Sequence, residues 1–436
     1  MAKTISIFWF RRDLRLKDNV GLFHALTSGV PVLPIFIFDS EILKELPEAD
    51  ARVTFIHDTL QDLNTELQSQ QQSGIAMYYG KPQDVFKTLA ETHSIASVYT
   101  NQDYEPYAIA RDQEIASFLK SKQIGFQTFK DQVIFERDEI VKSDGTPYKV
   151  YTPYSKKWLE KFNTEGLQTY PSETHLDKLL TSIRFPNLTL EAIGFRTSSQ
   201  KVEHYTTHST LINSYEATRN FPAIENGTSK VGPHLRFGTV SIRALVTKAA
   251  KSSNTIYLKE LIWREFFMQI LWHFPHTLTQ SFKPQYDHIQ WRNNKTEFEL
   301  WCKGETGYPL VDAGMRELNA TGFMHNRVRM LVGSFLCKHL LIDWRLGEAY
   351  FAEKLHDYEM SSNIGNWQWV AGCGVDAAPY FRIFNPTTQV EKFDKAHQYI
   401  KKWVPDYQEL SYTAPIVDHK FARERCLRVY KEALNN

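Results

Sequence analysis

The chain has 436 residues, enough for two or three domains at about 100–200 residues each, and its 42% hydrophobic and 23% charged residues are the balance of a folded globular protein. No run of about 18 apolar residues occurs, which excludes a transmembrane helix, and no membrane partner is expected. The formal net charge of +1 conceals a gradient: residues 1–130 carry 13 Lys+Arg against 16 Asp+Glu, residues 131–195 carry 8 against 10, and residues 196–436 carry 30 against 24. The mildly basic last part is compatible with a polyanionic partner without requiring one. The start, Met1-Ala2-Lys3-Thr4-Ile5, lacks the charged, apolar, small-residue order of an export signal. Cys302, Cys337, Cys373 and Cys426 lie far apart with no CxxC pair. Neither a disulfide framework nor a cysteine metal site is expected, and a cytoplasmic location is.

Residues 1–130 alternate two periods. Ile5–Phe10, Val32–Phe38, Ile75–Tyr79 and Ser97–Thr100 read as short buried strands, and Arg52–Gln68 and Pro82–Thr92 as helices, with Leu60, Leu63 and Leu67 as one apolar stripe. Such alternation predicts an α/β domain with a doubly wound parallel sheet over 1–130. The first strand runs into Arg11-Arg12-Asp13-Leu14-Arg15 and not into GxGxxG, so a dinucleotide-binding first domain is not expected. From 131 to 195 turn signals dominate, and a long interdomain linker is predicted, with a turn or two of helix near Ser155–Phe162. Over 196–436 strands vanish. Ile242–Ala250, Tyr257–Phe274, Pro309–Thr321, Arg327–Leu341 and Glu348–Leu355 read as helices of an all-α domain, with Gly322 and Gly347 as stops.

Chemistry concentrates in that last part. Thr228, Ser229, Lys230, Val231 and Gly232 precede a predicted helix, where backbone N–H groups and hydroxyls could hold a phosphate, although on these residues alone a plain helix cap is the better reading. In Tyr257–Phe267, Glu260 shares a helix face with Trp263 and with Arg264. A carboxylate beside an indole on an apolar helix needs a polar partner, and a surface ion pair with Arg264 is the simplest one. Asn326, Arg327, Arg329 and Met330 crowd the start of another apolar helix. His356–Trp369 packs Asp357, Glu359, Asn363, Trp367 and Trp369 into one short stretch, more polar and aromatic together than core packing explains. Eight of the ten tryptophans lie between Trp263 and Trp403.

These segments carry a resemblance along almost the whole chain. FWFRRDLRLKDN, FPAIENGTSKVGPHLRFG, ELIWREFF, TGYPLVDAGMRELNATGFMHNRVRM and NWQWVAGCGVDAAPYFRIFNP occur in that order. The sequence resembles the photolyase/cryptochrome family, most closely the bacterial class I cyclobutane pyrimidine dimer DNA photolyases. The resemblance implies FAD in the helical domain, blue-light repair of UV-damaged DNA, and a monomer. It puts flavin contacts at Tyr215, Thr228, Ser229, Lys230, Val231, Gly232, Tyr257, Arg264, Arg329, Asp357, Glu359 and Asn363. Lys230 stands where relatives have Arg, and Gly232 where they often have Ser. DNA and lesion contacts fall on Arg219, Glu260, Trp263, Asn326, Arg327, Met330, Trp369 and Arg382. Trp367, Trp344 and Trp291 match an electron-hopping chain. Glu260 is implied to hydrogen-bond the dimer, as a donor if protonated and as an acceptor if ionised. The Asn-Glu pair that holds a folate antenna in some relatives is replaced here by Tyr107 and Ala108. A folate is therefore not expected, and the identity of any second chromophore stays open. A photosensory cryptochrome without repair activity is the alternative. Glu260, Asn326, Met330, Asn363 and the chain's end at Asn436, soon after the last family motif, favour repair.

Overall fold

Five short runs of β-branched and aromatic residues make one parallel sheet in the computed structural model, which describes residues 4–181 and 183–435. Met1–Lys3, part of the stretch read as carrying no export signal, and Asn436, the family-like terminus, lie outside the described residues. The strands are β1 (Ile5–Phe10), β2 (Val32–Asp39), β3 (Ala76–Gly80), β4 (Ile95–Asn101) and β5 (Gly125–Phe129). Their spatial order is β3-β2-β1-β4-β5, all parallel. Every residue of β1 and β2 is buried, because a parallel sheet is covered on both faces. Alternation along β1 divides the cover. Phe8 and Phe10 pack with Leu22 of the Val20–Leu26 helix and with Leu60 and Leu67 of the Ala51–Gln71 helix. Ile7 and Trp9 face the other way, onto Phe86 and Leu89 of Pro82–Thr92 and Ile115 and Leu119 of Pro106–Ser121.

The chain divides into two compact units whose borders are not those read from the sequence. The sheet unit comprises the described part of Met1–Glu136 together with Lys161–Glu203 and Val231–Lys248; the helical unit comprises Arg137–Glu160, His204–Lys230 and Ala249 to the last described residue. The stretch 131–195 is thus not a free linker. Leu176, Leu179, Leu190, Ile193 and Phe195 are buried in the core of the sheet unit. Leu180 N donates to Val32 O and Met77 N to Pro186 O, both at 2.7 Å. Irregular backbone can bury apolar residues at any spacing, so no period betrays it. Near Ser155, where a turn or two was expected, a full helix spans Tyr151–Glu165.

The helical unit is built around one large core that includes Trp301, Val332, Phe335, Trp344, Phe351 and Trp367. Its main helices are Ile256–His273, Pro309–Thr321, Asn326–Ser334, Trp344–Lys354, Met360–Ala371 and His419–Asn435. Gly322 does end its helix, at φ +66°. Gly347 is no stop: it lies inside Trp344–Lys354, where a Cβ would come within 2.2 Å of Trp367 Cη2. A side chain is excluded there by packing, which the sequence pattern cannot distinguish from a breaker. The helix expected over Arg327–Leu341 is α-helical only to Ser334 and then widens into a π-helical turn, Phe335–His339. Among the described residues no helix is long and apolar enough to cross a membrane.

Candidate functional site

The Ile256–His273 helix supplies the first group. Tyr257 is buried, and its hydroxyl donates to Ser229 Oγ at 3.0 Å. Tyr215 meets the Tyr257 ring edge-on at 5.1 Å, and burial pushes both phenols upward from the ordinary tyrosine value. Ser229 O accepts from Thr206 N, and Lys230 adopts a left-handed φ of 52° with its ammonium 5.7 Å from the Phe323 ring. Thr228–Lys230 belong to the helical unit, whereas Val231 and Gly232 begin the last segment of the sheet unit. The helix after them, Gly232–Arg236, has only five residues.

One turn along, Glu260 is paired with Arg219 and not with Arg264: Arg219 Nη1 donates to Glu260 Oε1 at 2.5 Å. The Arg219 guanidinium also lies 5.4 Å from the Tyr215 ring. Glu260 keeps 35% of its side chain exposed, so it is not the fully buried acid that a protonated donor role called for. Trp263 stacks on Tyr151 at 3.7 Å and 7°. Tyr151 is held in turn, its hydroxyl donating to Lys259 O at 2.7 Å and its N–H to Asp376 Oδ2 at 3.1 Å. Sequence reasoning missed Tyr151, because it lies in the stretch read as linker.

The Asn326–Ser334 helix brings the next set. Arg329 makes a fork on Asp357, with Nη1–Oδ1 at 3.1 Å and Nη2–Oδ2 at 2.9 Å, and Nε donates to Met324 O at 2.7 Å. Arg327 Nη2 donates to Asn220 Oδ1 at 2.5 Å, and its guanidinium sits 4.5 Å over the Phe393 ring and 3.4 Å from Met330 Sδ. Asn326 is exposed, and Trp369 is half-buried.

Asn363 is buried, and Nδ2 donates to both Glu348 O at 3.1 Å and Glu348 Oε1 at 2.9 Å. A backbone carbonyl can only accept, so the amide orientation is settled, and Oδ1 is left as its free acceptor. Burial pushes the Glu348 carboxyl upward. Glu348 was another residue the sequence gave no reason to single out. Glu359, expected near the flavin, spends its carboxylate otherwise: Oε2 caps the Met360–Ala371 helix, accepting from Ser362 N at 3.3 Å and from the Ser361 hydroxyl at 2.5 Å. Trp367 and Trp344 are buried in one core and Trp291 packs against its edge, at 6.1 Å from Tyr430. The ring neighbours of Trp367 are Phe351 at 4.9 Å and Trp301 at 6.2 Å.

Comparison with known proteins matches residues 6–173 to the DNA photolyase family and residues 257–412 to the FAD binding domain of DNA photolyase. The chain is 35% identical to a deoxyribodipyrimidine photo-lyase of Synechococcus over 98% of its own length and 96% of that protein's. The chain belongs to the DNA photolyase family. Among solved structures it is similar to a bacterial class III photolyase from Agrobacterium tumefaciens (TM-score 0.87, 33% identity, 100% and 99% of the two chains covered). It is also similar to an archaeal photolyase from Sulfolobus tokodaii with two FAD molecules (TM-score 0.84, 31% identity, 98% and 99% covered).

The donors of this photolyase-family chain suit the flavin that its FAD-binding domain implies. A fixed amide with a free oxygen, a guanidinium–carboxylate fork and a tyrosine–serine pair are the polar types that hold an isoalloxazine edge and a phosphate chain. In the sheet unit the strand order reverses between β1 and β4, the usual ligand edge of such a sheet, and the charged side chains near it pair with one another. Arg11 is forked on Asp112 at 2.6 and 2.7 Å, Arg12 reaches Asp103 and Glu105, and Tyr107 donates to Asp39 Oδ2 at 2.7 Å.

Proposed function

We propose that the chain is a deoxyribodipyrimidine photo-lyase that repairs cyclobutane pyrimidine dimers in UV-damaged DNA, as a cytoplasmic monomer. Tyr215, Ser229, Tyr257, Arg264, Arg329, Asp357 and Asn363 hold FAD in the helical unit, with backbone N–H groups of Thr228–Lys230 toward its phosphates. Glu359 is left out of this set because its Oε2 is engaged at the start of the Met360–Ala371 helix. Bound and reduced, the flavin supplies under blue light the electron that opens the cyclobutane ring.

The observation that carries the reading is the Arg219–Glu260 pair beside Trp263, a partly exposed charged pair at a helix whose buried face is largely apolar and aromatic. A flipped pyrimidine offers an imide N–H and carbonyl oxygens, and this patch offers an acceptor, a donor and an aromatic wall. Photolyases extrude the target base, and a damaged pair costs least to unstack. Glu260, engaged by a guanidinium, acts as the acceptor that positions the N–H. Arg219 supplies positive charge where negative charge develops on the bases. Met330 and Trp369 complete the apolar walls, and Asn326, Arg327 and Arg382 meet the DNA around them. Asn363 Oδ1, held by Glu348, accepts from the flavin edge. A folate antenna is not part of the proposal, since Tyr107 and Ala108 stand where the Asn-Glu pair that holds it in some relatives would be.

The test is direct. Reduced protein is mixed with UV-irradiated oligothymidine and illuminated with blue light, and thymine absorbance near 260 nm (roughly the nucleobase maximum) is followed. Recovery of absorbance is expected; no recovery on illumination of protein that holds fully reduced flavin would favour the photoreceptor reading.

A further inference from the structure

We infer that Lys338 is a positioning residue for DNA binding: its buried ammonium fixes the backbone of the loop that carries Arg382. The inference rests on the reading of Arg382 as a DNA contact.

Lys338 lies in the π-helical turn Phe335–His339. Such turns re-aim side chains and recur at functional sites. Here the turn directs a lysine inward, leaving it 1% exposed, among the largest fully buried side chains of the chain. Burying an ammonium is costly without compensation. Its hydrogen-bond acceptor is the carbonyl of Arg382, at 2.9 Å from Nζ. A bond from a charged donor in a water-poor site is stronger than a neutral one. The loop after the Met360–Ala371 helix is tied down in its first half, where Cys373 O accepts from Lys283 N at 2.9 Å and Asp376 Oδ2 from Tyr151 N at 3.1 Å, and more sparsely around Arg382. Tyr380 stacks on Tyr430 at 5.9 Å, and Arg382 N bonds only within the loop, to Pro379 O at 2.9 Å. Phe381 is 62% exposed beside it, and the Arg382 guanidinium lies 5.4 Å from the Phe384 ring. A cation thus sits under the backbone at the one residue of the loop whose side chain is assigned to DNA. A lysine kept only for packing would be better replaced by methionine, which fills the space without the desolvation cost.

The groups that face Lys338 are Cys337 of its own turn, Cys373 and Arg382 of the loop, and Cys426 of the His419–Asn435 helix. Burial pushes Cys373 and Cys426 up to about 12 and Cys337 well upward, so no thiolate forms beside the ammonium near neutral pH. His339, which adjoins it, is pushed down to about 3 by burial and stays neutral. Burial pushes Lys338 itself down to about 8. It is therefore charged below that pH and loses its proton above it.

The experiment compares the FAD-loaded wild type, Lys338→Met, Arg382→Ala and the double variant for binding of a dimer-containing duplex across salt concentrations. Lys338→Met is expected to retain FAD and photoreduction and to weaken binding ~10-fold, the size of one charge-assisted hydrogen bond. Its log–log salt slope should flatten by about the 0.9 that one phosphate contributes. Arg382→Ala should show the same flattening, and the double variant should lose no more than Arg382→Ala alone. Wild-type affinity should also fall as pH rises through about 8, a step that Arg382→Ala lacks, and this readout stands even if Lys338→Met does not fold. Wild-type affinity and slope in Lys338→Met, with Arg382→Ala impaired, would overturn the role of Lys338 alone. An unimpaired Arg382→Ala would overturn the reading of Arg382 and the inference with it. So would a pH step that persists in Arg382→Ala.

Discussion

Glu260 carries the sharpest consequence at the scale of single residues. Glu260→Ala removes the acceptor and leaves Arg219 without its 2.5 Å counter-charge. FAD content and the absorption spectrum should not change, while the quantum yield of repair falls and lesion affinity weakens by ~1–3 kcal/mol, the usual penalty for an unsatisfied polar partner. A wild-type quantum yield in this variant, measured by thymine recovery per absorbed photon, would reduce Glu260 to a surface ion-pair partner. Trp367 separates two electron routes. It is 3% exposed and touches Phe351 and Trp301 by its rings. Trp367→Phe should abolish thiol-dependent photoreduction of the oxidised flavin, yet leave repair by chemically reduced protein intact, because the repair electron runs from flavin to dimer. Loss of repair with photoreduction preserved would reverse the assignment.

Among the elements, the Asn326–Ser334 helix is where acid should act. His325 caps it: Nδ1 accepts from Arg327 N at 3.2 Å, which only an imidazole unprotonated at that nitrogen can do. Burial, then Arg329, Arg327 and Arg219, push His325 down to about 4. Its folded value lies below the ordinary 6.5, so this contribution to stability is complete above pH 6.5 and is lost as pH falls toward 4. Urea unfolding between pH 7 and about 4 should show stability dropping on acidification, less steeply in His325→Asn, which caps without titrating in that window. Identical pH slopes in the two proteins would remove His325 from the account. The same helix shows where pattern misleads. Its apolar run continues past Ser334, but the backbone changes to a π-helical turn, a difference of one carbonyl partner that leaves no mark in hydropathy. Gly347 misleads in the opposite direction. Glycine costs a helix interior roughly 0.5–1 kcal/mol, less than forcing a Cβ against Trp367, so packing overrides propensity.

For the whole molecule, charge and DNA set the expectation. The excess of cations in 196–436 is small, so on the proposed reading affinity should depend on a few placed arginines, Arg219, Arg327 and Arg382 among them. Duplex affinity should fall with salt at a log–log slope near −0.9 per phosphate neutralised. Preference for the dimer over intact DNA should persist at each salt concentration, because it derives from the lower cost of flipping a damaged pair. Equal affinity for the two duplexes in a filter-binding or fluorescence titration across that range would contradict this. In the sheet unit, Arg15 at 2.7 Å and Arg243 at 2.9 Å both engage the buried Asp131, so a strand-end carboxylate is matched by arginines 116 and 112 positions away.

The sequence by itself determined the character of each part: short buried apolar runs between helical stretches made the parallel sheet, and helical spacing made the second unit. β1, Pro82–Thr92, Ile242–Ala250 and Pro309–Thr321 have the ends that pattern alone predicts, because local burial and Pro or Gly punctuation set them. It also determined the chemistry present, since the ordered motifs from Phe8 to Pro386 name the residue types of a flavin and DNA site. Only the tertiary structure decided which of those residues meet. Arg219 reaches Glu260 across 41 positions, Arg329 reaches Asp357 across 28, and Lys338 reaches Arg382 across 44. It likewise decided that 161–203 packs with the sheet and that Tyr151 backs Trp263. Periodicity encodes which face of an element is buried; it does not encode which distant element buries it, and both the pairing of charges and the burial of Lys338 depend on that choice.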